Sequence, residues 1–148
     1  MLVQPYLFFE GRCAEAIEFY RRALDAEVTT LVRYKDSPDP PPPGMLPPGS
    51  EDKVMHSSLR IGETTVMASD GRCQGEPDFR GFSLSITVAE EGRARTLFAA
   101  LAEGGEIQMP LERTFWSPCF GMVTDRFGVG WMINVKARET EEVDRCDS

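Results

Sequence analysis

The chain has 148 residues, the usual size of one domain with a full hydrophobic core. Sixteen Lys and Arg stand against 24 Asp and Glu, a formal net charge of −8 that argues against a general nucleic-acid or anionic-membrane surface. Apolar residues make up 41%, and no apolar run approaches the roughly 20 residues of a membrane span. The N-terminal MLVQPYLFFEGR lacks the basic start, long apolar stretch and cleavage site of a secretory signal, so a cytoplasmic protein is expected.

In chain order, residues 3–9 are aromatic and β-prone and predict a buried strand. CAEAIEFYRRAL places Cys13, Ala16, Ile17, Tyr20, Ala23 and Leu24 at helical spacing, with Glu and Arg on the other face. Residues 28–34 predict a strand. Residues 36–50 hold seven of the eleven prolines, which neither donate to a sheet ladder nor favour helix. That segment is expected to be an extended loop, with a lid or a polyproline ligand for a partner as functional readings. Residues 54–61 and 64–69 predict two strands joined at Gly62-Glu63. On the first of these, strict alternation would put Val54, His56, Ser58 and Arg60 on one face.

After a polar linker at 70–78 the pattern starts again. FSLSITV alternates cleanly, and Ala94, Leu97, Phe98, Leu101 and Ala102 mark a second helix ended by Gly104-Gly105. Strands are expected at 106–111, 122–124 and 131–136, with a loop at 114–120 and a turn at 125–130. The order β, α, β, β, β therefore occurs twice. The fold class is α+β, a single domain over 1–137 made of two βαβββ modules at about 1–70 and 79–137, followed by an acidic, solvated tail at 138–148. Each module exposes a sheet face that its one helix cannot cover.

Four cysteines (Cys13, Cys73, Cys119, Cys146) form no CxxC pair, and His56 is the only histidine. This argues against a Cys/His zinc site and for free thiols in a reducing compartment. Nothing near Cys119 in sequence would lower its pKa.

Two stretches carry a family resemblance: PYLFFEGRCAEAIEFYRRAL, and ERTFWSPCFGMVTDRFGVGWMINV with its D-x-F-G-x-x-W turn. MHSSLRIGETTVMASD fits between them. Over residues 5–135 the chain resembles the PhnB-like branch of the vicinal oxygen chelate superfamily, which includes glyoxalase I, bleomycin-resistance proteins and extradiol dioxygenases. The resemblance implies paired βαβββ modules with curled mixed sheets around a cavity, and often a homodimer. Superfamily enzymes hold a divalent metal at four positions, which motif matching carries to Pro5, Met67 (within one residue), Ser83 and Met132. Proline has no donor atom, methionine suits Cu(I), and serine is a poor ligand unless deprotonated. The resemblance thus implies a family cavity without its metal, and no cofactor is expected.

Candidate site residues follow. His56 is the natural general base near neutral pH, or a structural histidine. Asp70, after Ser69, would orient a ligand or pair with His56, or else form a strand-end turn. Thr114, Phe115, Trp116 and Phe120 form an aromatic loop, readable as pocket wall or dimer contact. Met67 and Met132 would make the cavity floor apolar, or be core. Trp131 is expected to pack inside above the Asp125–Gly128 turn. The expected function is binding of a small, partly apolar molecule, with His56, Met67, Ser69, Ser83, Thr114, Phe115, Trp116, Phe120 and Met132 as ligand contacts. The alternatives are an enzyme, either a metal-dependent lyase or dioxygenase with displaced ligands or an acid–base catalyst using His56 and Asp70, and an interaction module acting through dimer surfaces. Members of this branch have been labelled quinone-ring methyltransferases, but no glycine-rich nucleotide-binding turn supports that here.

Overall fold

A computed structural model describes residues 1–137; the acidic segment 138–148, with Cys146, lies outside the described residues. The elements come in the expected order, β1 (Tyr6–Phe8), α1 (Cys13–Leu24), β2 (Glu27–Arg33), β3 (Val54–Ile61), β4 (Thr64–Ser69), then β5 (Leu84–Val88), α2 (Glu91–Ala102), β6 (Glu106–Glu112), β7 (Phe120–Thr124) and β8 (Gly130–Val135). Contacts divide the chain into two units, Met1–Pro77 and Asp78–Ser148. Each holds one helix and one four-stranded mixed sheet, ordered β1-β4-β3-β2 in the first and β5-β8-β7-β6 in the second. In each the first strand runs parallel to the last and the remaining pairs are antiparallel.

In the first unit α1 buries the apolar stripe that its spacing predicts, Cys13, Ala16, Ile17, Tyr20 and Leu24, joined by Phe19. It packs on β2 and β3. The sheet face beneath carries Leu7, Leu59, Val66 and Ala68, all buried. Burial of each large side chain contributes roughly 1.5–3 kcal/mol, so this layer is the core of the unit. Strict alternation fails at the start of β3. The register with β2 slips between Val32 and Arg33, leaving Met55 as the extra residue of a bulge. Val54 is therefore buried like Ser57 and Leu59, while His56 is half-buried. Val54 and His56 do not share a face as simple periodicity predicts.

A buried carboxylate closes the first unit. Asp70 Oδ1 accepts from the backbone N–H of Gly11 and of Cys13, each at 2.8 Å, and Oδ2 accepts from Val54 N–H at 2.8 Å. Cys13 is the first residue of α1, so the carboxylate satisfies an orphan donor where the helix dipole favours negative charge. The helix-capping residue Arg12 makes no such side-chain bond itself.

In the second unit α2 packs on all four strands. Its buried Ala94, Leu97, Phe98 and Leu101 cover a face bearing Val123, Trp131, Ile133 and Val135. Gly105 opens β6 against β7: a Cβ there would collide with the Thr124 carbonyl oxygen, so the tight approach requires glycine. The β7–β8 turn is held by Asp125, whose Oδ1 accepts from Phe127 and Val129 N–H and whose Oδ2 accepts from the Trp131 indole at 2.9 Å. Trp131 is 3% exposed, as the turn motif predicts.

Several ends differ from periodicity. β1 has three residues rather than seven, and Met1, Leu2 and Val3 lie exposed ahead of Pro5, which has no N–H to pair. Phe82 and Ser83 precede β5, with Phe82 48% exposed. β7 begins at Phe120, which moves that residue from the aromatic loop into the sheet. The proline segment forms neither helix nor strand beyond a 3-10 turn at Tyr34–Asp36.

Asp70→Ala would strand three backbone donors in the interior at about 1–3 kcal/mol each, so a loss of about 3–5 kcal/mol is expected. Urea unfolding measures it, and a loss under about 1 kcal/mol would refute this role for the carboxylate. Gly105→Ala is expected to be at least as damaging as a filled-core clash of about 1–3 kcal/mol, read in the same experiment.

Candidate functional site

The face of each sheet turned away from its own helix is where side chains remain free for function. In the first unit the register aligns Tyr6 with Met67 and Met67 with Ser58, and aligns Phe8 with Ser69. Leu7 points to α1, so Tyr6 and Phe8 point the other way. Their rings stack with centroids 4.9 Å apart, and Tyr6 lies 5.8 Å from the His56 ring. The Tyr6 hydroxyl and His56 Nδ1 are within hydrogen-bond distance at 3.1 Å. If the hydroxyl donates, Nε2 carries the ring proton and is offered as a donor. If Nδ1–H donates, Nε2 is offered as a base.

Of the residues singled out from sequence in this unit, His56 and Met67 fall together on that face. Tyr6 and Phe8 were missed, because an unbroken aromatic run gives no sign of which side is covered. Ser69 is 1% exposed and its Oγ accepts from Gly71 N–H at 3.1 Å. Asp70 does not pair with His56. Its oxygens are committed to the α1 turn and β3, so the strand-end structural reading is the one the geometry supports.

In the second unit, register builds two rows across the face away from α2. One runs Ser85, Met132, Met122, Met109, and the next runs Thr87, Asn134, Phe120, Glu112. Three thioethers in line give an apolar, adaptable surface. Ser83 is exposed beside Gly130, one pleat from Ser85. Phe120 meets Trp116 edge-on at 5.5 Å, and Trp116 meets Phe115 at 4.8 Å. Phe115 is 89% exposed and Trp116 48%, which suits a contact surface better than a buried wall. Thr114 serves the loop itself: its Oγ1 accepts from Ser117 N–H at 3.0 Å. Ser117, which sequence reasoning passed over, ties that loop to β8 through a hydroxyl donated to the Val135 carbonyl at 3.1 Å.

The metal positions carried over from the superfamily do not form a shell. By pleat, Pro5 lies on the same side of β1 as Leu7, and the residues beside Met67 and Met132 are Tyr6 and Ser85. A phenol, a hydroxyl and thioethers, with His56 as the one imidazole beside Tyr6, are a poor donor set for a hard or borderline divalent ion. No cluster of three or more His, Cys, Asp or Glu suited to a metal occurs among the described residues. A separate open cleft of about 890 Å3 lies along the proline loop, lined by Tyr34, Lys35, Pro41, Leu46, Pro48 and Gln74 among others. None of the sequence-predicted site residues lines it.

Residues 2–134 match the family described as 3-demethylubiquinone-9 3-methyltransferase. The chain belongs to this PhnB-like family. It is 37% identical to protein YjdN of Escherichia coli over 91% of this chain and 95% of that one. The crystal structure of protein PA1353 from Pseudomonas aeruginosa shares 41% identity at a TM-score of 0.80, covering 92% of this chain and 98% of that one. The PhnB protein from Bacillus cereus shares 28% at 0.75, covering 91% and 99%. The fosfomycin resistance protein FosX from Listeria monocytogenes, 10% identical at a TM-score of 0.64 over 94% of this chain and 95% of that one, shows the shared fold alone. The PhnB-like protein therefore has the superfamily's α+β architecture of two βαβββ units.

Burial, with the Asp70 charge beside it, pushes the Cys13 thiol up to about 12, and burial also raises Cys73 and Cys119. Iodoacetamide at pH 8 is expected to label half-buried Cys73 before Cys13 or Cys119, read by mass spectrometry. The folded Cys13 keeps its proton between its ordinary 9.0 and about 12, where the unfolded chain has lost it, so stability should fall as pH rises through that window. A Cys13→Ala variant whose alkaline stability falls as steeply as wild type would contradict this.

Proposed function

We propose that this PhnB-like protein binds a small, partly apolar molecule on its uncovered sheet faces, without a metal. The observation that carries the reading is the Tyr6–Phe8–His56 cluster beside Met67. It combines two stacked rings, a thioether and one imidazole whose Nδ1 is engaged by a phenol. Such a mixture of apolar surface and one oriented polar group is the usual make-up of a small-molecule site. On the second unit Met132, Ser83, Phe120 and Trp116 are the contacts in this reading, with Phe115 and Thr114 at its margin. No cofactor is part of it.

His56 is also the acid–base group of the second reading, an enzyme, because Tyr6 engages its Nδ1 and leaves Nε2 for chemistry. Asp70 takes no part in that reading, being committed to backbone amides. Methyl transfer is not carried over from the family description: the β1–α1 turn, Phe9 to Arg12, holds one glycine and not a glycine-rich nucleotide loop. The reading further includes a cytoplasmic homodimer, with exposed Phe115 and Trp116 as contacts. Among the described residues no helix is long and apolar enough to cross a membrane.

A nuclear magnetic resonance titration with planar aromatic molecules is expected to shift Tyr6, Phe8, His56 and Met67 together. His56→Ala should weaken that binding at least about tenfold, roughly one hydrogen bond, while Tyr6→Phe should weaken it less, since the ring contact is kept. No shift on this face with any aromatic probe would sink the reading. Sedimentation at micromolar concentration tests the dimer.

A further inference from the structure

The D-x-F-G-x-x-W-M-I-N motif is mostly accounted for by its turn. Asp125 accepts three hydrogen bonds, Gly128 has φ 91°, and Trp131 donates its indole N–H to Asp125. Arg126 donates to the Glu103 carbonyl at 3.1 Å. Asn134, the last residue of the motif, has no such task. It sits in β8 between Ile133 and Val135, both buried toward α2, so its carboxamide projects from the opposite face. Among the described residues its Oδ1 is buried and accepts no hydrogen bond.

Leaving a buried carbonyl acceptor unpaired costs about 1–3 kcal/mol, and native proteins keep few such groups. A Leu or Met would be cheaper at this position, and the neighbouring row shows that the face accepts methionine, at Met132 and Met122. Asn134 lies between Thr87 and Phe120 in the register, and Phe120 carries Trp116 edge-on at 5.5 Å. An unpaired acceptor is thus set between Thr87 and an aromatic ring, with the methionine row one pleat away. Such an arrangement discriminates: a molecule able to donate into the carbonyl relieves the cost, and one unable to do so perpetuates it.

We propose that Asn134 Oδ1 is the hydrogen-bond acceptor of a ligand site on the second unit, and that the site takes a small planar apolar molecule bearing an O–H or N–H donor, such as a phenol or an anilide. This rests on the reading that the uncovered faces bind small molecules, and it adds the polarity that the ligand must have. The donor is given to Asn134, the rings lie against Phe120 and Trp116, and the methionine row supplies the adaptable floor.

The test uses naphthol and its methyl ether, which have the same rings and differ by the O–H donor. Naphthol is expected to shift the Asn134 side-chain amide signals of the wild-type protein and to bind about tenfold more tightly than the ether. Asn134→Leu is expected to melt at the same temperature or higher, since it removes an unpaired buried acceptor, and to bind the two probes equally. The proposal fails if Asn134→Leu keeps the tenfold preference, or if it melts several degrees lower, which would give Asn134 a structural bond. It also fails if naphthol leaves the wild-type Asn134 signals unmoved, a readout independent of any variant. Probes that move Tyr6, His56 and Met67 but never Asn134 would overturn this inference and leave the wider reading standing. Probes that move neither face would overturn both.

Discussion

One carboxylate holds the first unit in register. Asp70 receives N–H bonds from the turn after β1, from the first residue of α1 and from the first residue of β3. The first two of these lie close together in sequence, and the third lies more than forty residues on. β1 has only three residues, too few for its ladder to β4 alone to hold it. The turn that follows runs through left-handed backbone at Glu10 and Gly11. Lys53 adds a bond from its Nζ to the Gly11 carbonyl at 2.8 Å, on the same turn. The orientation of β1 depends on this knot, and with it the side of the sheet to which Tyr6 and Phe8 point. A residue that resembles a catalytic acid in sequence therefore acts on the candidate site only by placing other groups.

The second unit solves the same problem locally. Asp125 binds donors two, four and six residues ahead, so its bonds close within one hairpin. Local closure has a small entropic cost, while the Asp70 bonds to Gly11 and Cys13 span 59 and 57 residues. Two units of one topology thus differ in how far along the chain their lock reaches. The D-x-F-G-x-x-W turn is recognisable in sequence for that reason, and the Asp70 knot is not.

The same distinction separates what periodicity can read from what it cannot. Both helices and the β3–β4 hairpin follow from apolar spacing and Gly62, because these patterns act between near neighbours. The bulge at Met55 is invisible to alternation, since it depends on how β2 pairs, and it moves Val54 to the covered side. The partnership of Tyr6 with His56 joins residues fifty apart in strands separated by β4, and no local signal announces it. The donor chemistry of the superfamily's metal positions is a matter of residue type and not of geometry: proline, methionine and serine are poor ligands wherever the strands carry them.

On the proposed metal-free reading, selectivity comes from polar atoms set among apolar side chains. The first unit offers an imidazole within hydrogen-bond distance of a phenol. The second offers a carboxamide oxygen that does not titrate and is already desolvated. A metal tolerates many oxygen ligands because charge dominates its binding. A single desolvated acceptor in an apolar face tolerates few partners, because a molecule without a matching donor leaves its cost unrelieved. In that reading the methionines leave shape adaptable while the hydrogen-bond requirement narrows the acceptable chemistry: thioethers repack around different outlines, but the acceptor stays fixed.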